Sequence, residues 1–242
     1  GDAGRAGKHD LSMLATSASA LDRIQAQLQS RLGPVLSVIC TGVDGDTGGL
    51  WPEELPAVAR AIPRRQREFA AGRAAAREAI RRVIGVDRGI PSNPDRSPCW
   101  PEGLVGSIAH TTDACVAVVG RQGQWQSLGV DIEPDCGIDE SLWDIICTPE
   151  ELHLIRQAPL SGQALLVARL FVAKEAFYKW HFPQWKTMLD FQDVCVQWSD
   201  DWCDFAVSLR RAIQPVGVAF RGGRVLCTEG YLIATCASKM NP

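Results

Sequence analysis

The 242-residue sequence has no apolar run near the roughly 20 residues that a helix needs to cross a bilayer, which excludes a helical membrane span. No basic-then-apolar signal peptide stands at its start. It lacks a GxxxxGK[ST] loop and an HExxH pair, so neither P-loop phosphate chemistry nor zincin-type hydrolysis has its residues. It also lacks any CxxC pair, which argues against a zinc ribbon or a thioredoxin-like site. Nor is there an excess of positive charge: a net charge of −3 excludes a globally basic nucleic-acid binder. The nine cysteines are odd in number, and several sit in apolar runs such as Cys115–Val118, so free thiols in a reducing cytoplasm are expected.

What is present is the material of a globular protein. Hydrophobic residues make up 46% and charged residues 22%, in a chain long enough for one large domain or two small ones. The first dozen residues, rich in Gly, Ala and Asp, are expected to be unstructured. Charge is unevenly placed: Arg60 to Arg88 holds nine arginines against three acids, Glu68, Glu78 and Asp87. A local cationic surface in a mildly acidic chain suits a discrete polyanion better than a long polymer.

Residues 20–32 carry weak helical periodicity, and 34–41 read as a strand. Pro63 can open a helix that stops near Gly85, with Phe69, Ala76, Ile80 and Val83 on an apolar face and Arg73, Arg77 and Arg81 as a cationic stripe. A Pro-rich loop, 90–103, is followed by strands at 104–109, 115–120 and 127–133. Thr148-Pro149-Glu150-Glu151 has the form of a capping box, and a longer helix is expected from about Ser161 to His181. Beyond Asp190 the pattern is strand-rich: 194–198, 205–209, 216–220, and a hairpin from 225 to 237 turning at Glu229-Gly230. Helices interspersed with antiparallel-type strands give an α+β class, and two related α+β halves with a cleft between them fit the pattern.

Four groups of residues carry chemistry. Asp131 and Glu133, two apart on a strand, point to one face while Val130 and Ile132 point to the other. Adjacent acids repel unless a cation sits between them, and a hard divalent ion suits them, although a solvent-facing polar edge also accounts for such a pair. Glu175 and Lys179 share a helix face beside Lys174; this is either a solvated i,i+4 pair or an acid and ammonium groups around a metal-bound phosphate. His110 ends a strand and is followed by small polar residues. Arg65 and Arg73 lie on the arginine-rich helix, where Gly72 suggests the close approach of another group.

In this order the segments resemble the Sfp-type 4′-phosphopantetheinyl transferases, especially the branch of enterobactin synthetase component D and its actinobacterial counterparts. The resemblance runs through residues 64–77, Trp100-Pro101-Glu102-Gly103 to His110, Gly129–Pro134 and Leu170–Trp180, and covers about 50–240. It implies a pseudo-twofold fold of two similar α+β halves, 1–122 and 123–242, with the active site between them. It further implies Mg²⁺ (or Mn²⁺) on Asp131, Glu133 and Glu175, and coenzyme A as co-substrate. Glu175, Lys179 and Asp131 would be catalytic, with Glu175 as base directly or through a metal-bound water. Arg65, Arg73, His110, Lys174 and Lys179 would hold coenzyme A. The implied partner is an apo acyl or peptidyl carrier protein of siderophore, polyketide, peptide or fatty-acid synthesis. A cytoplasmic monomer acting on neither nucleic acid nor membrane is expected. Trp180, Phe182, Trp185, Lys186 and Met188, around Pro183, read either as an exposed docking loop for that carrier or as core. Two departures stand out: Ala109 replaces the serine many relatives carry before the histidine, and 91–98 offers Arg96 where relatives often carry lysine. A magnesium-dependent phosphodiesterase using the same acids, and a binding module built on the arginine helix, are the competing readings.

Overall fold

A computed structural model describes residues 18–210, 220 and 222–239. The first dozen residues and most of the expected 216–220 strand lie outside the described residues. The chain runs through α1 (Ala18–Leu32), β1 (Ser37–Thr41), α2 (Pro63–Ile84), β2 (Leu104–His110) and β3 (Cys115–Arg121). β4 (Trp125–Pro134), α3 (Trp143–Ile146), α4 (Pro149–Arg156) and α5 (Leu160–Trp185) follow. β5 (Val194–Trp198), β6 (Asp204–Leu209), β7 (Gly223–Thr228) and β8 (Tyr231–Lys239) complete the fold. It is an α+β fold of two antiparallel sheets, ordered β1-β3-β2 and β4-β8-β7-β6-β5.

Each sheet carries one long helix. α2 starts with Pro63 at its first turn and is closed by Gly85, whose φ of 82° lets its N–H reach the Arg81 carbonyl. Ala75, Ala76, Ala79 and Ile80 bury against Ile39, Ala117 and Val119 of the small sheet. A Cβ at Gly72 would stand 3.1 Å from the Ile108 side chain, so the glycine marks a close helix–sheet approach. α5 is apolar on more than one side and lies over β4 and β8, with Val167, Leu170, Ala173, Ala176 and Phe177 in its core. The capping box at Thr148 forms as the sequence indicates, with Glu151 returning to the Thr148 N–H. The β7–β8 hairpin turns through positive φ at Glu229 (53°) and Gly230 (82°).

The first sheet ends at Arg121 and the second begins at Trp125. Their cores do not part there. Leu21, Ile24, Val38 and Val116 from one side pack with Val130, Ile132, Leu226 and Ile233 from the other in one cluster. β4 lies against β2, where the Val130 N–H donates to Ser107 Oγ at 3.0 Å.

Two readings are narrowed by the structure. α5 continues through Pro183 to Trp185, so Trp180 and Phe182 are helical. Trp180 is buried and donates its indole N–H to Ser238 Oγ, so no exposed docking loop contains it. Lys186 caps the helix and pairs with Asp95 at 2.8 Å, while Met188 is exposed. The arginine stripe is not one solvated face: Arg73 is buried, Arg77 pairs with the fully buried Glu54, and Arg81 pairs with Glu78. The neutralising Glu54 comes from outside the helix, which a count of acids within the helix could not reveal.

Candidate active site

The alternation of β4 sends Val130 and Ile132 into the shared core and Gly129, Asp131 and Glu133 toward α5. Gly129 makes that approach close. A Cβ there would collide with the Ala176 carbonyl oxygen of α5. With the helix backbone this near, Lys179 Nζ donates to Asp131 Oδ1 at 2.6 Å, and Glu175 one turn earlier joins the same electrostatic neighbourhood.

This neighbourhood is short of positive charge. Burial raises the Asp131 carboxyl above its ordinary range even though Lys179 opposes the shift. Burial, and then the charge of Asp131, push Glu133 up to about 7 and raise Glu175 as well. Asp131 Oδ2 is buried without a hydrogen-bond partner. Among the described residues no three acidic, histidine or cysteine side chains are close enough to form a ready-made metal cage. An orphaned carboxylate oxygen and mutually repelling acids nevertheless fit a hard cation that takes a few carboxylates and completes its shell with substrate oxygens.

His110 reaches the same place from the end of β2. Its ring nitrogen Nε2 lies 2.5 Å from Arg65 Nη1. A guanidinium only donates, so this contact requires a neutral imidazole with Nε2 as acceptor. Burial, and then the Arg65 charge, lower the His110 pKa in agreement. Arg65 is also 3.5 Å from Glu68, which accepts from Arg64 at 2.8 Å. The charge of Lys179 acts on His110, so groups carried by the two sheets are electrostatic neighbours.

Two of the expected phosphate contacts are used elsewhere. Arg73 donates to the Ile90 carbonyl at 2.7 Å and to Ser92 Oγ at 3.0 Å, and its guanidinium lies 4.2 Å from the Phe69 ring centre. Burial lowers its pKa to about 10. Lys174 gives its ammonium to Glu151 at 2.7 Å and to the Ile146 and Phe191 carbonyls at 2.8 Å each. Asp131, Glu133, Glu175, Lys179, His110 and Arg65 are thus electrostatic neighbours, while Arg73 and Lys174 are buried on protein partners.

A groove of about 450 Å³ opens beside Glu175, lined among others by Ile145, Tyr178, Met188, Leu189 and Phe191. Lys174 also lines this groove, Arg65 and Glu68 line a separate hollow of about 520 Å³, and a hollow of about 580 Å³ at Trp198, Phe205 and Arg224 shares no residue with the carboxylates.

Glu151 and Glu54 were not singled out as functional from the sequence. Glu151 had a signal, its capping-box position; Glu54 had none, since its partner Arg77 lies 23 residues away.

Comparison with known proteins identifies the family. Residues 52–120 match the 4′-phosphopantetheinyl transferase N-terminal domain, and 127–236 match the 4′-phosphopantetheinyl transferase superfamily. The chain belongs to that superfamily. It is 38% identical over 151 residues to the 4′-phosphopantetheinyl transferase PptT of Mycobacterium tuberculosis, covering 62% of this chain and 66% of that protein. It is 36% identical to the 4′-phosphopantetheinyl transferase Svp of Streptomyces mobaraensis, over 60% of this chain and 59% of the relative. Enterobactin synthase component D of Salmonella typhimurium is 37% identical over 54% of each chain. The matched stretch is thus just under two thirds of the length of the first relative and less of the others. Among the described residues no helix is long and apolar enough to cross a membrane.

Proposed function

We propose that the chain transfers the 4′-phosphopantetheine arm of coenzyme A to a serine of an apo acyl or peptidyl carrier protein, releasing 3′,5′-ADP. The observation that carries this reading is the convergence of three under-neutralised carboxylates, Asp131, Glu133 and Glu175, with Lys179 and the Arg65–His110 pair from the other sheet. Such a set suits a diphosphate whose charge is met from two sides.

Magnesium, or manganese in its place, held by Asp131, Glu133 and Glu175 would neutralise the diphosphate and help to orient it for displacement. Lys179 turns from Asp131 to the phosphate oxygens, where its ammonium offsets the charge left on 3′,5′-ADP. Arg65 and neutral His110 bind the nucleotide end. Glu175 takes the serine proton, directly or through a water. The serine oxygen bonds to the β-phosphorus as the bond to the bridging oxygen breaks. The groove beside Glu175, with Ile145, Leu189 and Phe191 in its lining, offers the pantetheine arm an amphipathic bed that leads to the reacting phosphorus.

Release of 3′,5′-ADP from coenzyme A with Mg²⁺, followed with and without an apo-carrier protein, tests the proposal. Release that depends on the carrier is expected. Equal release without carrier would make the chain a phosphodiesterase instead.

A further inference from the structure

The buried pair Lys174–Glu151 ties together several elements around α5. Glu151 Oε2 accepts from Lys174 Nζ at 2.7 Å and from the Thr148 N–H at 2.7 Å, while Oε1 accepts from the Val196 N–H at 2.7 Å. Lys174 also donates to Ile146 at the end of α3 and to Phe191 ahead of β5. The C-terminus of α3, the start of α4, β5 and α5 therefore meet at one ion pair. All three ammonium donors have acceptors, and the Lys174 side chain is 1% exposed. If Lys174 left for a phosphate, the Glu151 carboxylate would stay buried without its counter-charge, which is strongly unfavourable.

Lys174 immediately precedes Glu175. Successive helix side chains point about 100° apart, so holding Lys174 against α3 and α4 fixes the rotation of α5 about its own axis. The Gly129 contact sets the distance from α5 to β4. Together with the buried core residues of α5, these two constraints set where Glu175 stands relative to Asp131.

We infer that Glu151 and Lys174 form a positioning pair that aims Glu175 into the site, and that Lys174 is not a phosphate ligand. The inference rests on the transferase reading and adds a residue, Glu151, that touches no substrate. The test uses the full chain with Glu151→Gln, Lys174→Met, Lys174→Arg and the double variant Glu151→Gln/Lys174→Met. Steady-state transfer gives kcat and KM, calorimetry gives coenzyme A affinity, and circular dichroism and melting report the fold.

The positioning pair predicts that Glu151→Gln and Lys174→Met each lower kcat at least ~10-fold with coenzyme A affinity within ~3-fold, as for a small displacement of a reacting group. The double variant, which carries no buried charge, should be no slower than the slower single variant, and Lys174→Arg should recover part of kcat. Loss of coenzyme A affinity by ~10-fold or more in Lys174→Met, with none in Glu151→Gln, would make Lys174 a phosphate ligand and overturn the inference. So would wild-type kcat in the folded double variant, which serves as the deciding protein if a single variant fails to fold. An inactive wild type that binds no coenzyme A would refute the transferase reading instead.

Discussion

Lys179 on α5 donates to Asp131 on β4 at 2.6 Å, and the other oxygen of that buried carboxylate has no hydrogen-bond partner. The ammonium thus provides the positive charge that a divalent cation would otherwise bring. A cation on Asp131 would compete with the lysine. In Lys179→Met that competition is gone, so Mg²⁺ should raise Tm more than it does in the wild type, while transfer falls ~100-fold for loss of a charge on the phosphate oxygens. A thermal melt across a Mg²⁺ titration reads the first effect. An equal or smaller Mg²⁺ shift in Lys179→Met would show that the lysine and the cation do not share this carboxylate.

Asp131→Ala and Glu175→Ala should each lower transfer by at least ~100-fold with the fold intact, because charge neutralisation at the transferring phosphate is reduced. Transfer rates at limiting Mg²⁺ and far-UV circular dichroism check this. Activity within about threefold of the wild type would remove that residue from the site.

The pH dependence follows from Glu133, raised to about 7 by burial and then by Asp131. A carboxyl with a folded-state pKa above its unfolded value keeps its proton more tightly when folded. Its contribution therefore favours the folded state at low pH and is lost as pH rises from the unfolded pKa through the folded one. Without metal, stability should decline between about pH 5 and about pH 7.5, and Glu133→Gln should flatten the decline. Mg²⁺ must displace that proton in acid, so its affinity should rise over the same interval. Denaturant midpoints of the two proteins across this range decide it; identical slopes would place Glu133 outside the coupled group.

Selection for the 3′-phosphate of coenzyme A should reside in Arg65 and His110 rather than in Arg73. A charge-assisted hydrogen bond contributes roughly 1.5–3 kcal/mol, one to two decades of affinity. Arg65→Ala should therefore weaken coenzyme A far more than its 3′-dephospho analogue. Arg73→Ala should lower Tm, because Ile90 and Ser92 lose their donor, and should weaken both ligands alike. Calorimetry on the two ligands separates these cases, and a selective loss in Arg73→Ala would contradict the placement.

Local patterns carried much of this architecture. Proline at the start of α2 and glycine at its end, the Thr148 capping box and the Glu229-Gly230 turn each act within a few residues, so the chain displays them directly. The Asp131/Glu133 alternation is equally local. The partners of Arg73, Lys174 and Arg77 are not: Ile90, Glu151 and Glu54 lie 17 to 23 residues away, and only folding brings them in. A sequence shows that a lysine is present, not whether its ammonium is already satisfied. Of the two readings of Trp180, Phe182, Trp185, Lys186 and Met188, core holds for Trp180 and exposure for Met188, and the helix runs four residues past its expected end at His181. Pro183 suggested a break, yet a proline in the last turn of a helix gives up a single backbone bond, and the buried Trp180 holds the turn in place.

The proposed activity of this chain is the movement of phosphopantetheine from coenzyme A to a carrier serine. Intact-mass spectrometry of purified apo-carrier proteins, incubated with coenzyme A, Mg²⁺ and this protein, tests it most directly. Each carrier should gain one phosphopantetheine, a gain lost when the carrier serine is replaced by alanine and lost with Asp131→Ala. Unchanged carrier mass across siderophore, polyketide, peptide and fatty-acid carriers, from a folded enzyme that binds coenzyme A, would contradict it.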